Sequence, residues 1–229
     1  MLKLIRLEWK KNHIKKYMLI TVVITVILQI FMIAMARELE IAGPPLLSGK
    51  SMIRTSIDLF THLTFIIFTG VMISAFTIDS YKKRTMDLMF SYPINRRKIL
   101  FSQIAAVWIF SFASLLFSKL CLCVFLTLTR PMTGIVTTDI LSGALPYWLD
   151  MILSSAAMVS ISYISLFTGM LKKSSKTVIV TSVIIACLTQ GNIGEATLSG
   201  SVPFYVLLMA CAVLSVYFSV YNAETKDLG

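Results

Sequence analysis

The stretch Tyr17–Ala36, "YMLITVVITVILQIFMIAMA", runs for 20 residues without a charge. A helix of that length rises about 30 Å, the hydrocarbon thickness of a bilayer. Gln29 is its one amide side chain, suited to a hydrogen bond with a neighbouring helix. Five further apolar runs repeat the pattern, which predicts an all-α integral membrane protein. The six spans fall at about 17–36, 57–78, 99–128, 145–171, 174–190 and 202–221. The fifth is short. The third is long and must tilt or project into the cytoplasm. Ala34-Met35-Ala36 looks like a signal-peptidase site. A signal peptide, however, has an apolar core of about 7–15 residues behind a short head. Here 20 residues follow a 16-residue head, so a retained span is expected.

Composition agrees. Of 229 residues, 57% are hydrophobic and 14% charged, against about 45–50% and about 25% in soluble domains. No repeat or low-complexity linker divides the chain, which reads as a single transmembrane domain over 1–229. Cys121, Cys123, Cys187 and Cys211 all fall inside apolar runs. They have neither zinc-site spacing nor the look of a disulfide framework.

The net charge of +10 is explained by orientation rather than by nucleic acid. With the N-terminus inside, the inner segments hold 16 of the 21 basic residues and five acids, and the outer segments four basic residues and six acids. Lys and Arg concentrate in short cytoplasmic loops. Both termini are therefore expected in the cytoplasm of a multi-pass cell-membrane protein, with some attraction to anionic inner-leaflet lipid.

That orientation disposes of one motif. "GPPLLSGKS", Gly43–Ser51, ends like a phosphate-binding loop, but five residues rather than four separate Gly43 from Gly49. Pro44 and Pro45 also lack the N–H donors a phosphate would use. The loop falls between the first two spans, on the outer side, where turn chemistry explains its glycines and prolines.

Two inner segments carry more pattern than a simple turn. The head, "MLKLIRLEWKKNHIKK", residues 1–16, places Leu2, Ile5 and Trp9 on one helical stripe and Leu4, Leu7 and Ile14 on another. Lys3, Arg6, Lys10 and His13 lie between them. A basic amphipathic helix of this kind suits the membrane interface, or serves as a positive anchor for the first span. The second segment is "DSYKKRTMDLMFSYPINRRK", Asp79–Lys98. Asp79 or Ser80 can cap a helix in which Met86, Met89 and Phe90 share a face at i, i+3 and i+4. Pro93 stops it. An apolar face in a cytosolic loop predicts a docking partner.

These residues, in this order along the whole chain, resemble the membrane subunits of type-2 ABC exporters, notably the small permeases of lantibiotic immunity and bacitracin resistance. The resemblance is carried by the basic "LIRLEWKK" head with Glu8 and by six spans. It continues through Thr85 to Ile99 with its "SYPINRRKI" segment, the short fifth span followed by "TQGNIGEATLSGSVP", and the ending "YNAETKDLG". Where the family often has Gly before the threonine, Arg84 stands here.

The resemblance implies that the head, with Leu2, Ile5, Glu8 and Trp9, is an interfacial connecting helix. It implies that Lys82, Lys83, Thr85, Met86, Asp87, Met89, Phe90 and Pro93 belong to a coupling helix between spans two and three. That helix would insert into a groove of a separate ATPase. Short re-entrant outer helices would follow span five. Two ABC ATPase subunits would work with two permease chains, identical or homologous, in a bacterial cell membrane. ATP and Mg would sit on the ATPase, with no cofactor on this chain.

Charged and polar groups inside the spans need partners. Lys119, in span three, either snorkels to the outer interface or pairs with Asp150 or Asp58. Asp58 and His62 are four apart and share a face; His62 reads as a packing residue. Gln29 and Gln103 are expected to bond between helices. No Ser–His–Asp set, metal motif or dinucleotide loop is present. The expected function is ATP-driven export of an amphipathic or antimicrobial peptide or other hydrophobic cargo. The alternatives are export of a small drug, lipid-linked molecule or ion, then a membrane sensor or intramembrane enzyme. Nucleic acid is not an expected partner.

Overall fold

The computed structural model of the chain describes residues 2–41, 52–78, 96–133, 145–172, 174–190, 192–193, 196–197 and 202–225. Eight α-helices account for nearly all of them. They are α1 (Leu2–Lys11), α2 (Ile14–Ile41), α3 (Met52–Ile73), α4 (Arg96–Thr133), α5 (Leu145–Ser162), α6 (Ile164–Lys172), α7 (Ser175–Gln190) and α8 (Val202–Thr225). A π-helical turn, Ser74–Ile78, continues α3. The loop "GPPLLSGKS" and the coupling segment with Lys82, Lys83, Thr85, Met86, Asp87, Met89, Phe90 and Pro93 lie outside the described residues.

Among the described residues four apolar stretches are long enough to cross a bilayer: Ile14–Met35, Thr55–Ile78, Leu100–Thr129 and Trp148–Lys172. Ser175–Gln190 and Val206–Val220 are shorter apolar helices. At 38 residues, α4 rises about 57 Å, well beyond the hydrocarbon layer.

Three details depart from the sequence reading. The head does not run as one helix to residue 16. It stops at Lys11, where the Asn12 backbone N–H and Nδ2 both donate to Glu8 O, at 3.1 and 3.2 Å. His13 takes a left-handed φ of 50°, a conformation that ends helices. The fourth apolar run is broken at Tyr163 although no glycine or proline stands there. Ser160, Ser162 and Ser165 instead donate back to the carbonyls of Ala156, Val159 and Ser162 at 2.8, 2.6 and 2.7 Å. Such back-bonding competes with the ladder and bends helices. Third, short helices were expected after the fifth run. There the described residues Asn192–Ile193 and Ala196–Thr197 pair as antiparallel strands, β1 and β2. Their register pairs Asn192 with Thr197 and Ile193 with Ala196.

The chain divides into two compact units: Met1–Ile14, Leu63–Phe112 and Ala156–Gly229 in one, Lys15–His62 and Ala113–Ser155 in the other. In the second unit α2 turns Thr21, Thr25, Leu28 and Met32 inward at helical spacing and leaves Leu19, Val22, Val23, Ile27 and Ile30 exposed. Exposed aliphatic groups are what a lipid-facing stripe requires, and buried threonines are tolerated because they bond within the helix. Thr21 Oγ1 donates to Tyr17 O at 3.0 Å and Thr25 Oγ1 to Thr21 O at 2.8 Å. Leu28 and Met32 meet Ile57 of α3 and Leu122, Cys123 and Leu126 of α4 in one core, and Phe31 meets Phe60 edge-on at 4.8 Å.

In the first unit Ile66, Met158, Ile161, Ile185 and Ala186 form the core, flanked by Leu208 and Met209. Helices approach closely at two glycines. A Cβ built on Gly70 of α3 overlaps both Oγ and Cβ of Ser182 on α7, and one on Gly169 of α6 overlaps a methyl of Val178. Without a hydrophobic drive between spans, such small-residue contacts supply the dispersion energy of packing.

Gly70→Val should therefore destabilise the chain by about 1–3 kcal/mol through overpacking, while Ala210→Val, at an exposed position, should change little. Thermal unfolding in detergent measures both, and equal midpoints would contradict the close α3–α7 approach.

Candidate functional site

Within the second unit, α3 brings two polar groups and α5 one to a buried lysine of α4. Lys119 of α4 is 1% exposed, too deep for snorkelling. Its ammonium has three protons, and three acceptors surround it. Asp58 Oδ1 of α3 lies at 2.6 Å, His62 Nε2 at 2.8 Å and Ser154 Oγ of α5 at 3.5 Å. The Asp58 side chain is 27% exposed, so the pair connects the interior to the surface. Because the ammonium can only donate, His62 must accept through Nε2, which puts the ring proton on Nδ1 in the neutral form.

Asp150, one turn before Ser154, is half-buried. Of the two carboxylates the sequence offered, Asp58 makes the contact with Lys119. The i, i+4 spacing of Asp58 and His62 is what lets both reach one nitrogen. Ser154 carried no signal among many span serines; its Oγ also donates to Met151 O at 3.2 Å.

A second cluster lies within the first unit, where α1 meets the early turns of α4. Glu8 is buried, with Gln103 Nε2 donating to its Oε1 at 3.4 Å. Asn12 Nδ2 reaches Oε2 at 3.5 Å, and Lys11 Nζ is 4.0 Å from the same oxygen. Trp9 Nε1 donates to Ala106 O at 3.2 Å. Ile5 is buried beside Glu8, while Leu7 is 62% exposed. The side of α1 that meets α4 thus carries Ile5, Glu8 and Trp9, and Leu7 is left for lipid. Leu2 begins α1. The sequence singled out Glu8 and Gln103 separately; their pairing needed the helix rotations. Gln103 Oε1 is buried without a hydrogen-bond partner among the described residues.

Both clusters tie helices together through charge or amide groups that lipid cannot solvate. Among the described residues no group of three or more His, Cys, Asp or Glu side chains is placed to hold a metal. Gln29 Nε2 donates to Cys121 O at 3.5 Å, joining α2 to α4 in the second unit.

Comparison with known proteins gives a family. A family model described as "ABC-2 family transporter protein" matches residues 4–190, which takes in both clusters. The chain is 24% identical over 230 residues, 99% of its own length and 100% of the relative's, to the uncharacterized protein YcbO of Bacillus subtilis (strain 168). No solved structure matches.

Lys119→Met removes the cation that contacts Asp58 among the described residues and should cost about 3 kcal/mol. Adding Asp58→Asn should recover part of that loss, because the stranded carboxylate goes with it. Unfolding midpoints of the two singles and the double give the coupling, and strictly additive costs would mean that the pair contributes nothing.

Proposed function

The chain belongs to the ABC-2 transporter family, and from that membership we propose that it is a six-span permease exporting an amphipathic or antimicrobial peptide, or a similarly toxic compound. The family assignment over residues 4–190 is the observation that carries the reading. As a family member the chain is a membrane transport subunit that works with an ATP-binding subunit and a further permease chain. The cargo rests on the likeness to small permeases of lantibiotic immunity and bacitracin resistance.

In this reading both termini and the segment Asp79–Lys98 face the cytoplasm, as the basic residues favour. Met86, Met89 and Phe90 fill an apolar groove on the ATPase, with Lys82, Lys83 and Asp87 setting register by charge. Two ATPases bind ATP and Mg, close on each other and displace this segment. The displacement passes to the two elements that flank it in sequence, the π-helical turn ending at Ile78 and α4 beginning at Arg96. Because Glu8 and Trp9 hold α1 to Gln103 and Ala106 of α4, α1 moves along the interface with α4. The cavity between the paired permeases then opens outward and releases cargo.

The support for coupling through π-helical geometry is physical. A π turn is a strained variant of the ladder and is frequent at functional sites. This one is packed on both sides, with Ser74, Phe76, Thr77 and Ile78 buried and Ser74 Oγ donating to Ser175 O at 3.4 Å.

Truncating a buried Phe costs about 3–5 kcal/mol, roughly a hundredfold or more in affinity. Met89→Ala with Phe90→Ala should accordingly release the ATPase from tagged permease and abolish the stimulation of ATP turnover by a cationic amphipathic peptide. Lys172→Ala with Lys173→Ala is the control and should retain both. Full ATPase retention with normal, peptide-responsive turnover in the Met89/Phe90 variant would refute the assignment.

A further inference from the structure

We propose that the groove between α4, α5 and α8 in the first unit holds an acyl chain of an anionic phospholipid of the inner leaflet. The groove has a volume of about 760 Å³ and is walled by Phe101, Ala105 and Trp108 of α4, Ser160 of α5 and Ala212 and Val216 of α8. Ligand cavities run about 300–1,000 Å³, so the space is that of a ligand rather than a packing defect.

The few polar groups in the wall are already engaged with one another. Trp108 Nε1 donates to Ser160 Oγ at 3.3 Å, Ser160 Oγ donates to Ala156 O at 2.8 Å, and Tyr163 OH donates to Ile104 O at 2.8 Å. Among these three side chains no donor is left over for an occupant. Aliphatic chain fits such a wall, whereas a segment of unpaired peptide backbone would lose its hydrogen bonds there.

Length and charge then select the lipid. From Phe101 to Ile109 on α4 the groove is about 12 Å long, and from Met209 to Val220 on α8 about 16 Å. Half of a 30 Å hydrocarbon layer is about 15 Å, one leaflet. Phe101 stands five residues after Arg96, and α4 opens with Arg96-Arg97-Lys98. α6 ends in exposed Lys172. α4, which borders the groove, and α6, which packs on α8, thus carry basic residues in sequence at one end. An anionic headgroup complements them, with each basic residue near an anionic surface worth about fivefold in partitioning. A second copy of the chain would instead bring the same cations against their like. The inner-leaflet placement rests on the orientation given under Proposed function; the groove and its charge preference do not.

The test uses the full chain with Trp9→Phe and Trp148→Phe, so that Trp108 alone reports, reconstituted in symmetric phosphatidylcholine vesicles. Brominated-tail phosphatidylglycerol should quench Trp108 half-maximally at about fivefold lower mole fraction than brominated-tail phosphatidylcholine. Arg97→Gln with Lys98→Gln should narrow the gap between the two curves, and Ala212→Phe, which fills the groove, should weaken quenching by both lipids. Identical curves before any charge change, or quenching indifferent to Ala212→Phe, would overturn the proposal. Trp108 shielded from both lipids, with a cysteine at Val213 cross-linking between copies, would give the groove to a second copy and overturn it equally. Should the Trp substitutions prevent folding, spin-labelled phosphatidylglycerol on the otherwise unsubstituted chain reads the same loss through Ala212→Phe. Labelling of Lys172→Cys by an impermeant thiol reagent outside intact cells would overturn the orientation and the inner-leaflet placement together, while the quenching curves would still report on the groove.

Discussion

An ammonium group buried in an apolar helix must be met by an anion and by acceptors for every proton, or the span that carries it does not settle in lipid. Lys119 meets that demand with three acceptors from two other helices: Asp58 and His62 on α3 and Ser154 on α5. Helix register in the second unit follows from this. Rotating α4 by one residue would swing Lys119 by about 100° and replace Asp58 with aliphatic surface. The aliphatic contacts of Leu122, Cys123 and Leu126 with Leu28 and Met32 are less directional and tolerate small shifts. The ion pair selects one register among those they would allow.

The same constraint, applied to backbone and hydroxyl groups, shapes the rest. Threonines at 21, 25, 61 and 69 are buried and donate to carbonyls of their own helices. They add polarity without exposing a donor to lipid. Where several serines do this in succession, near Tyr163, the helix gives way. Close approach at Gly70 and Gly169 provides contact that the hydrophobic effect cannot supply between spans. α1 is held to α4 by a buried carboxylate and an indole rather than by aliphatic packing alone.

How much of this could be read from the sequence depended on whether the signal was one-dimensional. Span existence was legible because hydropathy over about 20 residues needs no neighbours. That Lys119 needed either a partner or a route to the interface was legible from its depth, but which of the two was not. The choice between Asp58 and Asp150 was not, since both lie within a turn of the needed height and only helix rotation separates them. Ser154 was invisible for a similar reason. The end of the head helix was misplaced because charge at Lys15 and Lys16 marks an interface, whereas the break is made by the Asn12 cap and the left-handed His13. The interruption at Tyr163 lacked the glycine or proline that usually announces one. The pairing of Asn192–Ile193 with Ala196–Thr197 was missed because the resemblance suggested short helices there.

The central claim is that this chain shapes a path through the membrane and that a separate subunit supplies the ATP chemistry. ATP turnover by the purified chain in proteoliposomes, measured alone and then with its ABC ATPase added, tests it most directly. The account predicts no turnover above empty vesicles for the chain alone and clear turnover once the ATPase is present. Turnover by the chain alone that disappears with Lys50→Ala would contradict it, because the catalytic site would then lie in "GPPLLSGKS".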